Sequence, residues 1–354
     1  MTISRRTILA ATGAGLALPS LGQAQVGGQV QVGGQAQIGG QAQAGWRPDR
    51  PVTLIVPWAA GGSTDQMARI VATELESALG QRFVVVNQPG ASGSIGTRNA
   101  LEAPKDGMTW AAGAAVDVGC YKVLGLLDTM LADWNLFFAV ANVNILVANP
   151  QAGIRDFNGA MEAFRTRGAS MAVATAGVSS AGHNMMSAIR AATNITYRHA
   201  TYDGGNPAMI ATVSGETPLG AVLLVEAAEM IRARRLVPLA VQAETNVTLQ
   251  GVGELPSIRQ FLPNVPAPLN YFGIWTPKGV PQNVVDTVGQ VWREKIANSQ
   301  RLKDYAAQRA AVFSPLHGQQ AFDEAWKMVR QTAWLYFDGG TARVSPDTLG
   351  IQRL

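Results

Sequence analysis

Short apolar strand patterns alternate with amphipathic helical patterns along most of this chain, and that alternation limits its fold more than any other feature. Strands are expected at residues 52–56, 83–87, 109–114, 145–148, 171–174, 219–224 and 236–242. Helical spacing falls between them, at 67–79, 94–102, 157–167, 183–193, 207–214 and 227–234. The last third reads as helices at 283–297, 300–309 and 319–337. Short apolar strands joined through helices are βαβ units, so the expected class is α/β, with parallel sheets covered by helices. About 310 residues take part, more than one hydrophobic core usually serves, so two domains are expected.

In such sheets, ligands bind outside the carboxyl ends of the strands. The first strand, Val52-Thr53-Leu54-Ile55-Val56-Pro57, runs into Gly61-Gly62-Ser63-Thr64-Asp65, where a helix begins. The first N–H groups of a helix have no partner within it, and the helix dipole adds partial positive charge there. That turn is therefore an anion site needing no lysine or arginine. It points to a binder of small anionic molecules. Each residue also has a structural use. Asp65 suits the first turn of a helix, and Gly61 and Gly62 suit a tight turn.

The N-terminus says where the chain works. Arg5 and Arg6 precede an apolar run over 8–21, too short to span a bilayer, and Gly22-Gln23-Ala24 is a small-x-small cleavage site. Residues 1–24 thus read as an export signal, cleaved near Ala24, and the protein as periplasmic. The paired arginines after Ser4 resemble the twin-arginine type, with an ordinary secretory signal as the alternative. Residues 25–45 repeat Gln-x-Gln-x-Gly-Gly with a period of six. Glycine pairs disfavour a helix and the small side chains build no core, so a flexible linker is expected, a short β-solenoid strip being the alternative.

Composition excludes several classes. The net charge is +4 and charged residues make up 15%; loss of Arg5 and Arg6 with the signal would leave +2. That is no footprint for nucleic acid. The single cysteine, Cys120, rules out an intramolecular disulfide and a cysteine-based metal site. His183, His199 and His317 lack metal-ligand spacing, so no metal and no cofactor is expected.

Five segments in register carry a family resemblance. They are Leu54-Ile55-Val56-Pro57-Trp58-Ala59-Ala60-Gly61-Gly62-Ser63-Thr64-Asp65; Val84-Val85-Val86-Asn87-Gln88-Pro89-Gly90-Ala91-Ser92-Gly93; Pro104-Lys105-Asp106-Gly107-Met108-Thr109; Ala176-Gly177-Val178-Ser179-Ser180-Ala181-Gly182-His183; and His199-Ala200-Thr201-Tyr202-Asp203-Gly204-Gly205-Asn206-Pro207-Ala208. Over residues 46–354 the chain resembles the Bug family, the extracytoplasmic solute receptors of tripartite tricarboxylate transporters.

The resemblance implies a two-lobed periplasmic-binding-protein fold, a type II-like Venus flytrap with two Rossmann-like lobes and a C-terminal helical region. Residues 46–145 and 271–354 would form one lobe and 146–270 the other. It implies a small organic carboxylate held by backbone N–H groups and small hydroxyls of two facing loops. Here those would be Trp58, Gly61, Gly62, Ser63, Thr64 and Asp65 on one side, and Gly177, Ser179, Ser180 and His183 on the other, with Tyr202, Gly204 and Gly205 at the rim. It implies a monomer that serves membrane transporter subunits, or reports its ligand to a sensor kinase, and that is not an enzyme. Ser179, Ser180 and His183 could be forced into a hydrolase triad, but no Gly-x-Ser-x-Gly elbow follows a strand. Departures from the family pattern fall at Ala60, Trp58, Ser179 and Asp203, and residues 120–143 match it poorly.

Overall fold

The computed structural model describes residues 45–353, within a unit spanning Gln43–Leu354. The expected export signal over 1–24 and all but the last residue of the repeat over 25–45 lie outside the described residues. The chain runs β1 (Val52–Val56), α1 (Ser63–Leu79), β2 (Phe83–Asn87), α2 (Ser94–Glu102), β3 (Thr109–Ala114), α3 (Ala115–Leu124) and β4 (Trp134–Asn142). One residue later β5 (Asn144–Ala148) opens a second sheet. Then come α4 (Phe157–Arg167), β6 (Ala172–Thr175), α5 (Ala181–Thr193), β7 (Arg198–Thr201), α6 (Gly205–Ser214), β8 (Leu219–Leu223), α7 (Leu224–Arg232) and β9 (Val237–Gln242). A small hairpin, β10 (Val247–Leu249) with β11 (Gly253–Leu255), precedes β12 (Asn270–Pro277), which returns to the first sheet. Then follow α8 (Gln282–Glu294), α9 (Gln300–Arg309), β13 (Val312–Phe313) and α10 (Gly318–Asp338).

The first sheet has the order β13-β4-β12-β3-β1-β2 and the second β7-β6-β8-β5-β9. This is the two-lobed α/β fold. The sheets are mixed, not parallel as the βαβ rhythm predicts. β12 runs against β3 and β4, and β5 runs against β8 and β9. Both reversed strands lie where the chain crosses between sheets. A strand arriving from the other sheet needs no right-handed crossover helix, so nothing forces it parallel to its neighbours.

β4 and β12 are buried at almost every position, Trp134–Asn142 against Asn270–Pro277. Fully buried strands show no polar alternation, and neither β4 nor β12 was expected from the sequence. Separate hydrophobic clusters back the two sheets, one around Trp110, Phe138 and Trp275, another around Phe157, Phe164 and Met185. Cys120 is buried, as a small apolar residue. Among the described residues, no helix is long and apolar enough to cross a membrane, and no group of three or more His, Cys, Asp or Glu could hold a metal ion.

Candidate functional site

Five helices begin on one small cavity between the two sheets. Gly62, Ser63 and Thr64 bring the start of α1, Ala114 and Asp117 that of α3, and Ser180, Ala181 and Gly182 that of α5. Gly205 opens α6, and Leu223 and Glu226 belong to the start of α7. Trp58, Asn270 and Phe272 close the walls. The cavity measures about 40 Å³. Each helix start lies just beyond a strand or a glycine turn, so the sheets aim their positive helix ends inward.

The expected site residues separate into groups. Trp58, Gly62, Ser63, Thr64, Ser180 and Gly205 line this cavity. Gly177 and Tyr202 line an open groove beside it, with Ala91, Ser92 and Asp203. The Tyr202 hydroxyl donates to Glu216 at 2.7 Å. Gly61, at φ +80, makes the turn, and its N–H donates to Asp65 Oδ2 at 3.0 Å. Asp65 also accepts from Arg69 Nε and Asn87 Nδ2. Burial raises the pKa of its carboxyl, but these bonds outweigh it and hold the group below the usual range. Gly62 is the N-cap at φ −74, ψ 174, backbone that any residue adopts.

Ser180 caps α5: its hydroxyl donates to the Gly177 carbonyl at 2.7 Å and accepts the His183 N–H at 3.3 Å. Its partner in His183 is therefore the backbone, not the ring. The Ser179 hydroxyl donates to the Ser92 carbonyl at 3.1 Å. Gly204 sits at φ +141 against Ala59.

These contacts tie the two sheets together. Ser92 accepts the Val178 N–H on its hydroxyl at 3.0 Å, the Ala59 N–H donates to the Asp203 carbonyl at 3.0 Å, and Tyr336 on α10 donates to the Ser179 carbonyl at 3.3 Å. Ser92 and Ala91 both hold positive φ, 55° and 46°. Non-glycine residues adopt that conformation at a cost, which the bonds across the cleft offset.

Sequence reasoning missed Asp117, Glu226, Asn270 and Ser92. Asp65, Asp117 and Glu226 share one position. Each is the third helical residue after its N-cap, Gly62, Ala114 and Leu223 respectively. An acid there complements the dipole. A strand end followed by a helix with an acid in its first turn was the available signal. Burial pushes the Asp117 carboxyl well above the usual carboxylate range, only partly opposed by the neighbouring Trp58 and Ser179 side chains. Burial also pushes Glu226 up, opposed by the Ser63 and Leu223 N–H groups.

His183 lies away from the cavity, its ring stacked on His199 with centroids 4.4 Å apart. His199 Nε2 pairs with the Thr175 hydroxyl at 2.6 Å. Burial, then the neighbouring His199 and Arg190, brings the His183 pKa down to about 3. A folded value below the unfolded one gives stability that is present above pH 6.5 and lost as pH falls towards 3. Discounted for its partial exposure, His183 should account for ~2 kcal/mol of the loss between pH 7 and pH 4.5. Thermal unfolding of His183→Gln should show a correspondingly shallower acid limb; a limb as steep as the parent's would remove His183 from that role.

A family model described as tripartite tricarboxylate transporter family receptor matches residues 67–316. The chain is 27% identical over 269 residues to protein BugT of Bordetella pertussis, covering 74% of this chain and 81% of that one. Its fold is similar to a Rhodopseudomonas palustris protein solved with adipate, with a TM-score of 0.75, 22% identity, and coverage of 83% of this chain and 98% of that one. It is also similar to MatC of Rhodopseudomonas palustris, solved with bound malate, with a TM-score of 0.75, 19% identity, and coverage of 81% and 99%.

Proposed function

We propose, from the premise that this chain belongs to the tripartite tricarboxylate transporter family of receptors, that it captures a small carboxylate between its sheets for uptake across a membrane. One observation carries this reading: five helix N-termini converge on one small cavity. Their summed partial charge favours an anion without a lysine or arginine, and the buried wall residues keep screening weak. The adipate and malate held by the structural neighbours are consistent with that chemistry.

The lobes on this reading are 46–145 with 271–354, and 146–270. They close as the ligand bridges helix starts from both sheets, so its differential contacts favour the closed form. The closed face is what membrane transporter subunits would recognise. Residues 1–24 act as the export signal and 25–45 as a tether, which places the receptor in the periplasm.

Thermal-shift screening against mono-, hydroxy- and dicarboxylates of matched carbon number, with a neutral sugar and a cationic amine as controls, tests the reading. A carboxylate should raise Tm and reduce the radius of gyration in small-angle scattering. Stabilisation by the amine alone, or binding without compaction, would overturn it.

A further inference from the structure

The cavity that attracts anions already holds carboxyl groups of the protein. Glu226 Oε1 accepts the Ser63 N–H at 3.1 Å, and its Oε2 accepts the Leu223 N–H at 3.2 Å. Ser63 belongs to α1 of the first sheet and Glu226 to α7 of the second. A side chain from one lobe thus fills the cradle at the helix start of the other. The fit is close: a Cβ on Gly205 would lie 2.0 Å from Glu226 Oε2. The remaining groups are of a different kind. Asn270 is 1% exposed, and neither its Nδ2 nor its Oδ1 has a partner. Asp117 is 4% exposed, and its Oδ1 has none either. Buried polar atoms left unpaired cost free energy, so groups of this type at a cavity wall indicate what completes them.

Resting on the carboxylate reading above, we propose that this site selects a small monocarboxylate bearing a hydroxyl, and that Glu226 is the residue that excludes a second carboxylate. A single carboxylate meets the start of α5, which Glu226 leaves open, whereas the Glu226 carboxylate already packs against Gly205 at the start of α6. A hydroxyl both donates and accepts, so it can accept from Asn270 Nδ2 and donate to Asp117 Oδ1, two of the three atoms that a methyl would leave unpaired. A second carboxylate finds the α1 cradle filled and a like group facing it. Two such groups cannot both ionise at close range without penalty.

Calorimetric titration of the whole mature protein and of Glu226→Gln tests this, with lactate, propionate and malonate as first probes and the matched carboxylate panel as the wider set. Gln keeps the shape and removes the charge, with the loss of one of the two backbone N–H bonds because its amide nitrogen donates only. The parent should bind the hydroxy acid about ten-fold tighter than the fatty acid or the diacid of equal length, a preference of about 1.4 kcal/mol. Glu226→Gln should shift the ratio of diacid to hydroxy-acid affinity about ten-fold towards the diacid. A diacid bound by the parent as tightly as its hydroxy-acid counterpart overturns the proposal, and so does an unchanged ratio in Glu226→Gln; in both cases carboxylate capture itself stands. If no carboxylate of the panel binds either protein, the carboxylate reading falls and takes this proposal with it.

Discussion

Replacing Gly182 with alanine is expected to destabilise the protein by about 3 kcal/mol and to lower Tm by about 6 °C. Gly182 is the second residue of α5, and that helix starts hard against β8. A Cβ there would lie 1.8 Å from the Ala221 carbonyl oxygen and 2.6 Å from its carbon. Both atoms are backbone within the central strand pairing of the second sheet, so no flexible side chain can give way. The cost is overlap and not dihedral strain, because Gly182 is absent from the positive-φ glycines. Relief means lifting the start of α5 off the sheet, which also moves Ala181 and Ser180 at the cavity wall. Gly159→Ala is the control. It lies in the first turn of α4, where a Cβ meets nothing closer than Asp156 Oδ1 at 3.4 Å. Helix propensity should make that variant about 0.5 kcal/mol more stable. Equal melting of the two variants in calorimetry would show that the α5–β8 contact yields more easily than its geometry implies.

The second large effect concerns binding. Gly62→Val should lower carboxylate affinity at least about 100-fold while changing stability by less than about 1 kcal/mol. The backbone at Gly62 accepts any side chain, and a Cβ would meet Ala59 O at 3.5 Å and Glu226 Oε1 at 3.6 Å, both ordinary contacts. The two γ-methyls of valine would then enter a cavity of about 40 Å³ and displace the ligand. Its neighbour should behave the other way. Gly61 holds φ +80 and a Cβ there lies 3.1 Å from Asn206 Nδ2, so Gly61→Ala should cost about 1–2 kcal/mol of stability. Normal titration of a carboxylate by Gly62→Val would move the site out of this cavity, with the groove at Ser92 and Tyr202 the next place to look.

Local elements were readable because their signals are local. The strand at 83–87 and the helices at 94–102, 157–167 and 300–309 were expected where Phe83–Asn87, Ser94–Glu102, Phe157–Arg167 and Gln300–Arg309 occur. Their apolar periods and their end residues lie within the segments themselves. The same holds for the glycine turn after β1, whose place at a strand's carboxyl end is a property of neighbouring residues. β4 and β12 were not readable, because a strand buried on both faces has no alternation to detect. The direction of β5 and β12 was not readable either, since it depends on which sheet a strand comes from and not on its side chains.

The cavity shows the same division most sharply. Asp65, Asp117 and Glu226 occupy the same position in three helices, and of the three only Asp65 has a basic residue four positions on, Arg69, to mark its role locally. Asp65 turns to Arg69 and Asn87 of its own lobe. Asp117 faces the cavity with an oxygen unpaired, and Glu226 reaches across to Ser63. The residues each one meets are up to 163 positions away in the chain. Periodicity and turn chemistry determine that a helix starts and that an acid suits its first turn. Only the meeting of two sheets decides which helix starts face each other, and therefore which acid braces its own lobe and which one reaches across the cavity to the other.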